Sequence, residues 1–403
     1  MAVEFFGSWD TWGGLLLGAS GTSAKDLGET ETAWDAAFPT VEKLQFMRDL
    51  GLKIGGWLNA GISTNFNGSP DNFNGPVGLN DRDAEPQINQ IYLYLAREVD
   101  KQADHWDFGG RFDFLYGTDA FIAQARGWDN DIITNGTSRF YNIALPQLYA
   151  EIYAPYGNGI TARIGHFYGL THYESVMASD NFFYSHSMSW TWDGPFTHTG
   201  VLFGYPINDN FEVTGGGVMG WDNFTDDMEV WNFLGQFSWT SDDKATEALV
   251  AVVTGDFNSD LDNRTRYTVR LEHSPAEYFH YTLQHTYGVQ FSDPARGGKD
   301  TSWYGIQSWM FYDLTDSLAF GLRAEWIRDQ DGVRFRFNDR PGSAPIGIGS
   351  SYYEVTAGLN WKPVKWLAIR PEVRYDWADD AKAFSAGART TQLMFATDVV
   401  VRF

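Results

Sequence analysis

The chain has 403 residues, no cysteine, and 52 acidic against 29 basic side chains, a formal net charge of −23. The missing thiols exclude disulfides, thiol catalysis, cysteine-based zinc sites and c-type haem attachment, and the acidic balance argues against nucleic-acid binding, which favours a basic surface. No run approaches the roughly 18 apolar residues of a membrane-spanning helix, but a barrel, in which only every second strand residue meets lipid, escapes that test.

Met1 to Phe6 lacks the basic start and apolar core of a secretory signal, so an exported protein is expected here in mature form. Phe5 to Leu17 is apolar and glycine-rich, and residues 19–35 are polar and acidic. After Pro39, the spacing of Val41, Leu44, Met47 and Leu50 predicts a short amphipathic helix at about 40–50, with Gly51 as its stop. From residue 51 onward the pattern turns to alternation. Extended segments are predicted at 51–66, 87–99, 105–118, 145–156, 160–168, 196–207, 211–222, 229–240, 245–255, 264–274, 278–291, 302–313, 317–329, 351–362, 366–378 and 390–403, about sixteen in all.

Short connections such as Gly157-Asn158-Gly159 and Asn208-Asp209-Asn210 alternate strictly with long polar ones such as 67–86, 119–144, 169–195 and 330–350. The short ones hold the residues tight turns need. Outer-membrane barrels carry short turns at the periplasmic end and long loops at the other.

The segments are two-faced. In 105–118, Phe108, Phe112, Phe114 and Tyr116 oppose Asp107, Arg111 and Asp113. In 264–274, Tyr267, Val269 and Leu271 oppose Arg266, Arg270 and Glu272; in 366–378, Leu367, Ile369, Val373, Tyr375 and Trp377 oppose Arg370, Glu372, Arg374 and Asp376. Mid-strand charges are costly in a packed core; a water-filled lumen accommodates them. Trp106, Trp239, Trp361 and Trp366 near short turns, and Tyr116, Trp221 and Trp377 near long loops, suggest two interfacial belts. Pro371 removes a ladder donor, so a bulge is expected there. The chain closes on Leu393, Phe395, Val399, Val401 and Phe403 along one face, with a terminal aromatic like the sorting signal of outer-membrane barrels.

The expected fold is all-β: a transmembrane antiparallel up-and-down β-barrel of about sixteen strands over 51–403. Residues 1–50 form a short, partly helical segment, periplasmic or plugging the barrel mouth. An even strand count puts both termini on the periplasmic side of a bacterial outer membrane, with its lipid around the wall.

The stretches Gln147 to Gly159, Arg163 to Phe167, Tyr173-Glu174-Ser175, Asn181 to Ser187 and Gly194 to Gly200 resemble the β-barrel porin-2 family of OmpL-like outer-membrane porins. The likeness is clearest over 87–222. It implies a porin-like channel and supplies no substrate and no catalytic residue. Homotrimers are common among sixteen-stranded porins, so a homotrimer is expected.

On the inward parity stand Arg111, Asp113, Glu151, Arg163, Arg266, Arg270, Glu272, Arg323, Glu325, Glu354, Arg370, Glu372, Arg374 and Asp398. They are expected either to line the pore and set its ion preference or to lace the wall with salt bridges. The loop at about 169–195 is expected to fold inward and narrow the pore, with Glu174, Asp180 and His186 as rim groups. Asp256, Asn258, Asp260 and Asp262 resemble the start of a calcium loop, a structural ion being the only cofactor suggested. The run lacks the glycine and the twelfth-position Glu of such loops, so a solvated acidic turn is the favoured reading. His166, His172, His186 and His198 fit no compact metal motif. Ser185-His186 makes no nucleophile–base pair, because adjacent strand residues point oppositely; no enzyme is expected.

The leading functional reading is passive diffusion of small hydrophilic solutes or ions through a charged lumen narrowed by the inward loop. The alternative is a barrel with a plugged lumen, serving as scaffold or sleeve for a periplasmic or extracellular partner protein.

Overall fold

A computed structural model describes residues 45–132, 140–225, 228–258, 261–335 and 348–403. Most of the 1–50 segment, with its expected plug, lies outside them. Its last turn, Gln45–Asp49, is helical and stops where expected: Gly51 takes φ +65°, a left-handed conformation that glycine adopts at no steric cost, and Leu52 N–H donates to Met47 O at 2.8 Å.

The described residues form one antiparallel sheet of β1 (Lys53–Asn65), β2 (Gln87–Arg97), β3 (Asp107–Gly117), β4 (Asn142–Ala144), β5 (Leu148–Ala154), β6 (Ile160–Tyr168), β7 (Thr197–Pro206), β8 (Phe211–Val218), β9 (Asn232–Thr240), β10 (Thr246–Asn258), β11 (Leu261–Ala276), β12 (Phe279–Asp293), β13 (Lys299–Thr315), β14 (Leu318–Asp329), β15 (Ser350–Val364), β16 (Leu367–Ala378) and β17 (Thr391–Arg402). Each strand pairs with its sequence neighbour, except that β4 and β5 share β3 and together fill one wall position, which gives the sixteen expected. The first and last strands pair over Trp57↔Arg402 to Asn65↔Met394, closing the barrel and leaving no open edge.

Alternation decides the two faces. Phe112, Phe203, Val269, Ile306, Val373 and Phe395 are exposed on the outer wall, while their strand neighbours are buried. That outer face suits lipid.

Three expectations are corrected. Connection length does not alternate strictly: β10 runs to Asn258 before β11 begins at Leu261, and β12 to Asp293 before β13 begins at Lys299. The residues read as loops there continue as strand pairs, such as Asp256↔Asn263. Pro371 carries no bulge. Its pairing runs unshifted from Gly358↔Glu372 to Trp361↔Ile369, and only the intervening β15 pairs are skipped, because proline has no N–H to give on that side. Trp221 is not in the outer belt but buried inside, against Trp303 and Phe257, because β8 ends at Val218 and the chain turns inward through Gly220.

Gly288 marks a close approach on β12. It faces inward beneath the fully buried Trp303 indole, which a Cβ there would overlap. Gly288→Val is expected to destabilise the barrel by about 1–3 kcal/mol, read as a lower unfolding temperature in detergent by heat-dependent gel mobility. Unchanged melting would mean that the indole yields freely.

Candidate functional site

The fourteen charged positions singled out above all lie on the inner wall, each at 9% exposure or less. They are not laid against open water. Opposite charges stand side by side, two residues apart on one strand for Arg111 and Asp113 (2.7 Å), Arg270 and Glu272 (2.8 Å) and Arg374 and Asp376 (2.8 Å), and across neighbouring strands for Arg163 and Glu151 (3.1 Å), Arg323 and Glu354 (2.9 Å) and Arg370 and Asp398. Such pairs answer the cost of taking charge out of water only when the remaining donors and acceptors are also satisfied.

The connection between β6 and β7 does that. Asn181 braces its first half, accepting from Ser175 N–H at 2.9 Å and donating to Ser175 O at 2.7 Å. Ser187 caps the one-turn helix Met188–Trp192 by accepting from Trp190 N–H at 3.2 Å. Nearly every residue from Leu170 to Thr199 is buried. Wall cations donate to its carbonyls: Arg266 to Thr171 (3.0 Å), Arg270 to His172 (3.0 Å), Arg370 to Ala178 and Asn181 (both 2.8 Å), Arg323 to Ser185 (2.6 Å) and Arg374 to His186 (2.6 Å). Wall carboxylates accept from its N–H groups: Glu372 from Tyr184 (3.0 Å) and Ser185 (3.2 Å), Glu325 from Ser189 (3.0 Å) and Met188. The segment answers with two carboxylates of its own. Glu174 lies 2.7 Å from Arg323, and Asp193 lies 2.7 Å from Arg266.

Apolar packing completes the contact. Tyr173, Phe182 and Phe183 cluster with Trp309, Phe311 and Ala319 of β13 and β14, and Val176, Met177 and Trp190 with Trp57, Tyr92 and Leu115 of β1 to β3. At the short-turn end a recess of about 710 Å³ lies among residues that include Lys101, Asn158, Asn208, Glu212 and Lys244.

A family model described as beta-barrel porin-2, OmpL-like matches residues 51–403. The chain belongs to this family. It is an outer-membrane β-barrel of the porin type, and family and fold together point to a channel rather than an enzyme.

Solved porins share its architecture. OprB of Pseudomonas putida, in a high-pH structure, superposes with a TM-score of 0.62 at 13% identity, covering 93% of this chain and 99% of that one. The anion-selective porin from Comamonas acidovorans gives 0.58 at 10%, covering 87% and 99%. OmpT of Vibrio cholerae, folded in vitro and in a trimer form, gives 0.56 at 10%, also covering 87% and 99%. Such identities show a common fold. No curated protein matches the chain.

In this porin the three expected rim groups stand as follows. Glu174 is buried, with one oxygen on Arg323 and the other accepting from Ser187 N–H (2.8 Å) and Oγ–H (2.6 Å). His186 is buried, stacked on Trp190, with Nε2 3.1 Å from Ser175 O. Asp180 is half-buried and accepts from Ser179 Oγ–H at 2.7 Å. Neither Glu174 nor His186 therefore borders an opening; both hold the segment's shape.

The other histidines are separate. His166 meets Thr199 Oγ, His198 meets Gly220 O (both 2.9 Å), and His172 meets Asp193 at 3.2 Å. Among the described residues no group of three or more His, Asp or Glu is placed to hold a metal. Asp256 and Asp262 are exposed at the tip of the β10–β11 hairpin, and Asp260 lies outside the described residues. Ser185 Oγ accepts from Arg323 at 2.9 Å while His186 bonds elsewhere, so the two make no catalytic pair.

Several site residues escape a charge-based reading. Gln90 of β2 donates to Val176 O at 2.7 Å and accepts from Ala178 N–H at 3.1 Å; Gln307 of β13 donates to Ser189 Oγ at 2.7 Å. Asp193 is fully buried in a segment where no alternation marks it as inward-facing. The available signal was on β13, where Trp303, Trp309 and Phe311 share the inward parity with Gln307. Large aromatics facing a lumen announce something packed against them.

Proposed function

We propose that this porin passes small hydrophilic solutes or ions by passive diffusion, along a charged inner wall narrowed by the segment 169–195. The observation that carries the reading is the inward placement of charged residues on strands whose other face is apolar. A wall built that way serves a polar path and is wasteful in a sealed core. The segment's salt bridges to Arg266 and Arg323 put its own charges across that path. The reading needs no cofactor. It includes a homotrimer, the state in which the similar Vibrio cholerae protein was solved, with both termini at the short-turn, periplasmic end.

A second reading has its own support. The wall charges are buried beneath the segment, as in a scaffold barrel whose lumen stays filled. Planar-bilayer recording of the detergent-folded chain under a salt gradient separates the two. Stepwise currents of porin size are expected, with the reversal potential giving the sign of preference. Folded protein that passes no current, even with residues 175–190 replaced by a short glycine–serine linker, would leave the scaffold reading standing.

A further inference from the structure

The seven inward-facing arginines singled out from the sequence each have a carboxylate oxygen within 3.1 Å. Arg264, two residues before Arg266 on β11 and on the same face, has none among the described residues. Its Nε donates to Gln290 Oε1 at 2.8 Å, and its guanidinium lies 3.6 Å over the Phe257 ring and 5.1 Å from Trp221.

Two further arginines share these rings. Arg126 lies 5.3 Å from Phe257, and Arg334 lies 5.7 Å from Trp221 and 4.6 Å from Trp303. Neither has a carboxylate partner among the described residues. Arg334 donates only to Trp192 O (2.9 and 2.6 Å), and Arg126 to Trp221 O at 3.4 Å. All three side chains are half-buried.

Among the described residues, the carboxylates that act most on Arg264 and Arg334 are Asp222, Asp293, Asp329 and Asp193. Each is committed elsewhere. Asp222 accepts from Phe196 and Thr197 N–H, Asp293 from Ala295 N–H and Thr301 Oγ–H, and Asp329 from the backbone of Gly332 to Phe335; Asp193 holds Arg266. The Trp221 indole Nε1, buried in the same cluster, has no partner among the described residues. Among the described residues the cluster therefore has guanidinium donors that no carboxylate pairs, although Asp193 keeps a buried Oδ2 without a hydrogen bond.

We propose that Arg126, Arg264 and Arg334 form an oxyanion-binding site at the long-loop mouth, for a small solute carrying a carboxylate or phosphate. A guanidinium fork matches either group in two parallel hydrogen bonds. Stacking on Phe257, Trp221 and Trp303 fixes the planes of the forks and leaves their edges to bind. The setting sharpens the inference. The protein carries a net charge of −23, so its long-range field repels anions, and a local trio of cations without a carboxylate partner among the described residues works only at contact distance, inside the screening length of roughly 8–10 Å. The site deepens the porin reading by naming a solute class, but equilibrium binding needs no current, so either idea can fail alone.

The test is titration of the full, detergent-folded chain with inorganic phosphate and, separately, succinate, at constant ionic strength, following heat and tryptophan emission. Saturable binding of at least one probe is expected, weakened at least tenfold by Arg264→Gln. Arg296→Gln removes the same charge from an exposed turn at the same end and is expected to bind as the parent does. Preference for one probe assigns the site to phosphate or carboxylate. If Arg264→Gln fails to fold, Arg126→Gln, which lies outside the strands, replaces it. No saturable signal from folded protein, or equal weakening by Arg296→Gln, overturns the proposal.

Discussion

Arg323→Ala is expected to free the segment 169–195 while leaving the barrel wall intact. Arg323 is fully buried and serves four residues: Glu354 at 2.9 Å, Glu174 at 2.7 Å, Ser185 through its O at 2.6 Å and its Oγ at 2.9 Å, and Thr356 Oγ at 3.3 Å. Its guanidinium also lies 5.1 Å from the Phe183 ring. Removing one member of a buried ion pair leaves the other charge uncompensated, at a cost of about 3–5 kcal/mol. Here two carboxylates, Glu174 and Glu354, are left at once. The wall does not bear that cost, because its strands are held by continuous backbone ladders on either side. The segment bears it, since it can leave. The expected result is a barrel that keeps its folded gel mobility, becomes cleavable by protease within 171–193, and conducts more in a planar bilayer. Arg323→Lys, which keeps the charge and loses the fork, is expected to fall between. Parental cleavage and parental current in Arg323→Ala would show that the segment is held by its apolar contacts alone.

Acid is expected to loosen the same segment, through His186. Its ring is buried and its Nδ1 has no partner among the described residues. Burial pushes its pKa down from 6.5 to about 4; Glu174 pulls the other way, and Arg323 and Arg370 push it further down. Above pH 6.5 the ring is neutral whether docked or released, and the full stability of docking is present. As pH falls from 6.5 toward 4 the released ring takes up a proton that the docked ring refuses, so docking weakens. Below about 4 both forms are charged and the loss levels off, at roughly 3 kcal/mol for His186 alone. His172, buried beside Arg266, is shifted in the same direction. Asp222 opposes them: burial raises it to about 6, which favours the native state as pH falls through that value. The measurement is protease cleavage of 171–193, and conductance, between pH 7 and pH 4, in the parent and in His186→Gln. Cleavage is expected to rise with acid in the parent and to rise much less in the variant. Equal pH dependence in both would assign the effect to other groups.

The wall was legible because it rests on a local rule. Side chains of a strand alternate, so Arg266, Thr268 and Arg270 face in while Tyr267, Val269 and Leu271 face out, whatever the rest of the chain does. The same rule puts all fourteen charged positions on the inward parity and marks strand limits, for instance 160–168. It failed where alternation continues past the membrane, as in the β10–β11 hairpin, because the pattern does not record where lipid ends. It failed again at Trp221, which leaves the strand and obeys no period. The family likeness was also visible in the chain, in stretches such as Tyr173-Glu174 and Asn181 to Ser187 that turn out to lie in the inner segment.

The sequence by itself determined which side chains face in, the closed all-β architecture and the channel class. Only the tertiary structure decided what those inward side chains meet. That Arg323 clasps Glu174, that Glu372 accepts from Tyr184, and that Arg264 stacks on Phe257 without a carboxylate depend on contacts between residues up to 188 positions apart. No period or propensity encodes such pairings. They arise when the barrel closes, excludes water and presses most buried charges against a partner.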